Sequence, residues 1–248
     1  MNSLARALAA ITVATILALV LIYLVPLALS RVHYSLAYRP TSSVLLSSKV
    51  PGTIHVTKYN GDEIKINVSV TYSPLIYKPG VYYSVNVSNG TTYIDFYSVS
   101  CPKYQLYPIY TCIVSINVYV PSSVRNVTFS DSASIIDVNA SDLKYFKASL
   151  FASQALIRLY NISKAELSLG ASQATVSIYG KGSYDLLFTS SEATVRSPTS
   201  CIEVSASLSE VTYPGGSIDG SGAAKIVSPS CISNLTVNAT SSVINISR

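Results

Sequence analysis

The chain has 248 residues, 49% of them hydrophobic and 12% charged, with a net charge of +5. Its seventeen basic residues form no run of three, which argues against a nucleic-acid footprint, since that needs a clustered stripe or patch. It has no Trp and nineteen Tyr, and about a quarter of the residues are Ser or Thr, a composition that suits strands with polar outer faces better than helices.

Residues 1–6 read as a short cytoplasmic terminus. Residues 7–29 are twenty-three consecutive uncharged residues. As a helix they would rise about 34 Å, enough for a hydrocarbon core of about 30 Å. The expectation is a single-pass anchor with an extracytoplasmic body. The alternative is a secreted protein cleaved near Ser30, where Ala28-Leu29-Ser30 offers small residues at the required spacing. Residues 30–42, with Pro40 and little periodicity, read as a stalk.

Residues 43–121 read as hairpin-rich. Thr53–Tyr59, Asn60-Gly61 and Asp62–Tyr72 form two alternating runs around a type I′ turn signal, and Val81–Ser88, Asn89-Gly90 and Thr91–Tyr97 repeat the arrangement. Ile113–Pro121 is a further strand, ended by a proline that cannot donate to a ladder.

From Ser134 to Ser209 a seven-residue phrase recurs in steps of nine or ten residues: a small residue, then inward positions separated by outward ones. Examples are Ser153-Gln-Ala-Leu-Ile-Arg-Leu159, Ser163-Lys-Ala-Glu-Leu-Ser-Leu169 and Ser172-Gln-Ala-Thr-Val-Ser-Ile178. Period-two alternation makes each phrase a strand with one buried face. Two strands per coil of about nineteen residues predict a two-sheeted, all-β solenoid over residues 122–248. Ala155, Ala174 and Ala193 should stack in one sheet, with Ala165 in the other. The alternative is a β-sandwich, which also spaces strands every eight to twelve residues.

The cysteines and asparagines bear on compartment. Cys101, Cys112, Cys201 and Cys231 allow three pairings, of which the two local ones are favoured over four free thiols. Nine of the twelve asparagines begin Asn-x-Ser/Thr, where chance at this Ser/Thr content gives about three: Asn67, Asn86, Asn89, Asn126, Asn139, Asn161, Asn234, Asn238 and Asn245. Such sequons are glycosylated only outside the cytoplasm, which points to a sugar-coated cell-surface protein from an archaeal or eukaryotic source.

The run Thr53-Ile-His-Val, then Glu63-Ile-Lys-Ile-Asn-Val, then a strand ending Val-Tyr-Val-Pro121, followed by serial short strands, resembles the putative-adhesin family of cell-surface β-solenoid domains of unknown function. The resemblance covers about residues 43–248 and is one of rhythm; the Ser-Gly pairs usual at that family's turns are missing. It implies a surface solenoid and brings no catalytic residues.

No nucleophile elbow, zinc-protease motif, phosphate loop or dinucleotide fingerprint occurs. Two histidines leave little for acid–base work, so neither enzyme activity nor a cofactor is expected. Asp131, Asp137 and Asp142 are the densest acidic group, but their spacing crosses strands and turns and reads as a solvated edge, not a calcium loop. Gly215, Gly216, Gly220 and Gly222 read as a loop. Tyr104, Tyr107 and Tyr110, between Cys101 and Cys112, are the binding candidates; their alternative role is to cover a sheet end.

The resulting expectation is an adhesin-like or cell-envelope structural module, anchored by residues 7–29, that meets surface glycans or envelope proteins without catalysis. One alternative is a filament subunit, associating through its solenoid ends, whose strand Ser242–Ser247 pairs with a neighbour. The other is a carbohydrate-active β-helix enzyme.

Overall fold

The computed structural model describes residues 11–18, 30–72, 79–100, 112–132, 135–151, 153–170, 172–198, 200–226 and 231–248. Residues 11–18 are helical, and the rest of the expected anchor lies outside the described residues. Among the described residues no helix is long and apolar enough to cross a membrane.

Among the described residues nineteen strands follow. The first seven are β1 (Ser30–Tyr38), β2 (Ser43–Ser48), β3 (Thr53–Tyr59), β4 (Ile64–Tyr72), β5 (Gly80–Ser88), β6 (Thr91–Ser100) and β7 (Cys112–Pro121). The regular ladder is β8 (Asn126–Ser132), β9 (Ile135–Ser141), β10 (Tyr145–Phe151), β11 (Gln154–Tyr160), β12 (Lys164–Gly170), β13 (Gln173–Tyr179), β14 (Gly182–Thr189) and β15 (Glu192–Arg196). The chain closes with β16 (Ser200–Tyr213), β17 (Gly216–Ile226), β18 (Ser233–Thr240) and β19 (Val243–Ser247).

Between β8 and β15 the predicted solenoid is present, residue for residue. Ala155 pairs with Ala174 and Ala174 with Ala193 in parallel register. Phe146 pairs with Ala165 and Ala165 with Tyr184 in the opposite sheet. Inward residues such as Ile157, Leu167, Val176, Leu186 and Val195 are at most 2% exposed, so the two sheets share one apolar core.

The two corners of each coil solve the turn differently. At one corner a residue with positive φ (Asp142, Asn161 or Gly180) turns the chain, and buried Leu143 and Ile162 fill the inside. Gly180 has φ 89°, a backbone conformation that L side chains rarely adopt, and a Cβ there would also push against the Asn161 side-chain amide. At the other corner a serine is buried in each coil: Ser153, Ser172, Ser191, Ser209 and Ser242. Ser191 Oγ donates to the carbonyl oxygens of Leu169 at 2.6 Å and Thr189 at 3.1 Å, tying its own coil to the one before. Asp131 sits inside this row, 4% exposed, and accepts from Ser153 Oγ at 3.0 Å. It is therefore part of the interior, not of the acidic edge expected from sequence.

Residues 43–121 belong to the same stack. Strand β2 pairs in parallel with β8 and β6, and β3 with β9 and β7. The hairpin expected around Asn60-Gly61 does not form. Strand β7 occupies the place beside β3, parallel to it and antiparallel to β4. Thus β3 and β4 lie two strand spacings apart, roughly 10 Å. A two-residue turn cannot span that gap, and neither Asn60 nor Gly61 adopts the positive φ of a type I′ turn. The second hairpin does form: Ser88 opposes Thr91 across Asn89 (φ 49°) and Gly90 (φ 72°). The segment expected as a stalk carries β1, antiparallel to β4 from Ser30↔Tyr72 to Tyr38↔Ile64. Its alternation is real, with Val32, Tyr34, Leu36 and Tyr38 turned inward, but half-buried residues in an edge strand give a weak period-two signal.

At the other end the chain order breaks. Strand β16 runs through both sheets, and Gly216, Gly220 and Gly222 belong to β17, which folds back on it antiparallel. Of the glycines expected in a loop, Gly215 does lie in the β16–β17 turn, whereas Gly216, Gly220 and Gly222 are strand residues on an edge. The last coil, β18 and β19, enters between earlier elements: β18 between β14 and β16, and β19 between β15 and β16. The carboxy-terminal strand expected to offer a free edge thus has a strand on either side.

A candidate binding face

One sheet reads β1–β4–β7–β3–β9–β11–β13–β15–β19. Because registers are parallel and unshifted from β3 to β15, outward side chains align in rows across the strands. One row is Thr53, Ile135, Gln154, Gln173 and Glu192; the next is His55, Asp137, Leu156, Thr175 and Thr194. Between them lies a groove of about 580 Å³. It crosses five strands, so it is roughly 19 Å long at the inter-strand spacing of about 4.8 Å.

The groove mixes polar side chains with the apolar Ile135 and Leu156, and its polar groups are braced against one another. Gln173 Nε2 donates to Glu192 Oε2 at 3.3 Å. Arg158 Nη1 donates to Asp137 Oδ1 at 3.0 Å, and His55 Nδ1 lies 3.6 Å from Asp137 Oδ2. These half-exposed pairs contribute at most about 1 kcal/mol each and serve mainly to fix side-chain direction. Beyond the Arg158 row, Tyr160 and Tyr179 stack on the same face with centroids 5.0 Å apart. Such a face offers amides, hydroxyls and carboxylates at fixed spacing to an extended polar ligand.

It offers no carboxylate pair for glycoside cleavage. Asp137 and Glu192 stand three strand spacings apart, about 14 Å, beyond the roughly 9.5 Å that an inverting pair tolerates. Among the described residues no group of three or more His, Cys, Asp and Glu could hold a metal ion. Asp131, Asp137 and Asp142 are dispersed over the core, the groove and a corner.

The opposite sheet carries a second polar cluster. Glu166 Oε1 is 2.7 Å from Lys164 Nζ, Tyr145 Oη donates to Glu166 Oε2 at 2.7 Å, and Lys147 approaches at 3.8 Å. The Lys164 and Tyr145 hydrogen bonds hold the Glu166 carboxyl below its ordinary value. Desolvation, reinforced by the hydrogen bond to Glu166, pushes the Tyr145 hydroxyl up to about 12. At a corner, Lys58 Nζ donates to the carbonyl oxygens of Ser141 at 2.8 Å and Asp142 at 3.0 Å, and burial lowers its pKa.

The sites expected from sequence fall as follows. Tyr104, Tyr107, Tyr110 and Cys101 lie outside the described residues. Cys112, at the start of β7, is disulfide-bonded, and Cys201 is bridged to Cys231 with Cα atoms 5.4 Å apart. Of the nine sequon asparagines, Asn67, Asn86, Asn89, Asn139, Asn161, Asn234, Asn238 and Asn245 are exposed, and Asn126 is half-buried. The Asn126 amide donates to Ser43 Oγ at 3.0 Å.

The outward slots Gln154, Gln173 and Glu192 are legible in the repeat, but the groove is not. The nineteen-residue offset aligns those three. Joining them to His55 and Asp137 needs the register of β3 on β9, which the repeat does not encode.

Fold and faces together define a two-sheeted β-solenoid with antiparallel strands at both ends and an outer groove of mixed polar and apolar lining. No family model matches the chain, and no curated protein is similar to it. Among solved structures it is similar to one described as a putative cell adhesion protein from Clostridium sporogenes (15% identity, 88% of this chain, 99% of that chain, TM-score 0.47). A putative adhesin from Bacteroides fragilis (11%, 88% and 97%, TM-score 0.47) and another from Parabacteroides distasonis (9%, 87% and 97%, TM-score 0.41) are similar in the same sense. At such identities and TM-scores these likenesses carry no conclusion about what the chain binds.

Proposed function

We propose that the chain is a membrane-anchored, N-glycosylated surface module that works by contact, adhesin-like or structural, without catalysis. The observation that carries this reading is the sidedness of the sequons. Eight of nine asparagines point to solvent, on both sheets, at the Asn161 corner and at the Asn89 hairpin tip, while the core beneath them is apolar. Exposure is what glycosylation requires, and nine sequons where chance gives about three supply the rest of the support. The apolar stretch 7–29 is the anchor, and β1 begins at Ser30, directly after it. On this reading the body stands on the membrane with no stalk and presents rigid polar faces outward.

The experiment is protease treatment of intact cells, followed by mass analysis of the chain with and without enzymatic or chemical glycan removal. The reading predicts a body cut from outside and a mass that falls on glycan removal. A body protected until lysis, with no glycan mass, overturns it.

A further inference from the structure

The chain's last eighteen residues are not an appendage but a wedge. Strand β18 fills the gap between β14 and β16, and β19 fills the matching gap between β15 and β16. Strand β16 draws its ladder partners from β17, β18 and β19, so the terminal hairpin β16–β17 is held to the body through this wedge. The inward residues Leu235, Val237, Ala239, Ile244 and Ile246 are all at most 3% exposed. The wedge is also stitched at its ends. Ser190 and Ser197 donate backbone N–H groups to the carbonyls of Thr240 and Ser247, each at 2.9 Å, and Ser242 N–H donates to Ser209 Oγ at 3.2 Å.

Two features make this slot open to another copy. The wedge follows both of its walls in chain order, so it enters a slot whose sides have already been synthesised. The slot also presents two ladder edges on each sheet, the arrangement in which a supplied strand is bound by main-chain hydrogen bonds on both sides. Cys231 stands just ahead of β18 and bonds to Cys201 on β16, a wall of the slot. The bridge therefore joins the wedge to whichever copy's slot it occupies.

We infer that the coil 231–248 is exchangeable between copies of this chain, and that the Cys201–Cys231 bridge fixes the choice, within one copy or between two. The partner is a second copy, contributing the same segment. From Ile226 to Cys231 are five Cα steps, a reach of at most about 18 Å. Exchange is thus confined to copies that meet end-on at the β16–β17 hairpin. If exchange is reciprocal it closes as a two-fold dimer; if each copy gives to the next it builds a chain. In either case two thiols and oxidised glutathione become one protein disulfide and two molecules of reduced glutathione. This inference does not depend on the anchoring or glycosylation proposed above.

The test uses the full wild-type chain. Ordinary and nitrogen-15-labelled protein are mixed, unfolded under reduction, refolded with oxidised glutathione over a range of concentrations, and digested with trypsin. The expected result is a disulfide-linked peptide pair joining Cys201 of one label to Cys231 of the other. Its share should rise roughly in proportion to protein concentration, as a bimolecular route competing with a unimolecular one must. Linked pairs of a single label at every concentration overturn the inference. A second arm keeps the result clear of refolding losses. Cys201→Ser and Cys231→Ser proteins, refolded together, should give a reducible heterodimer that neither gives alone, and equal dimer in all three samples contradicts exchange.

Discussion

The two polar clusters differ in how they should respond to change. Glu166 has a folded-state pKa depressed by Lys164 and Tyr145. Its contribution is present above the unfolded carboxyl value of about 4.3 and is lost as pH falls through the lower folded value. Urea midpoints of wild type and Glu166→Gln should therefore differ near neutrality and converge in acid; a gap that widens on acidification would contradict this account of the cluster. Tyr145 has the opposite sense. Its raised pKa makes its protonated form stabilising below about 10, with the benefit disappearing as pH rises through about 12. The buried serine row carries a larger single-residue effect. Replacing Ser191 by Ala leaves the Leu169 carbonyl oxygen without this donor inside the corner, at an expected cost of about 1–2 kcal/mol, read from denaturant unfolding. No measurable change would mean that the serines are fillers and not ties between coils.

Strands that repeat at nineteen residues were legible because each carries its own complete statement: three inward apolar residues, alternating outward polar ones and a small residue at the corner. Local alternation was also enough for the Asn89-Gly90 hairpin. It failed at Asn60-Gly61, where the same dipeptide joins strands that are not neighbours. The competing information is non-local, since β7, more than forty residues downstream, takes the place beside β3. It failed likewise at β19, whose alternation names its inward face but not which strands flank it. The groove was half legible for the same reason: Gln154, Gln173 and Glu192 share a repeat, whereas His55 belongs to an earlier strand pair. This contrast gives an element-level prediction. Removing residues 231–248 should strip hydrogen-exchange protection from residues 200–226, which lose β18 and β19 as partners, while residues 135–179 keep theirs. Retained protection over 200–226 would mean that β16 binds the body without the wedge.

At the scale of the whole molecule the fold is a stack of coils, with antiparallel strands β1, β5 and β17 at its ends. The β1 and β17 edges carry Arg31, Arg39, Asp219 and Lys225 in or beside them, charges that discourage unplanned edge-to-edge pairing. The proposed role rests on the outside of that stack being sugar-coated and extracellular. Mapping glycan occupancy at each sequon on peptides released by protease from intact cells tests it most directly. The account predicts glycans at exposed positions such as Asn89, Asn161 and Asn238, and the lowest occupancy at half-buried Asn126, whose amide is engaged by Ser43. Peptides recovered only after lysis, with all nine asparagines unmodified, would contradict it.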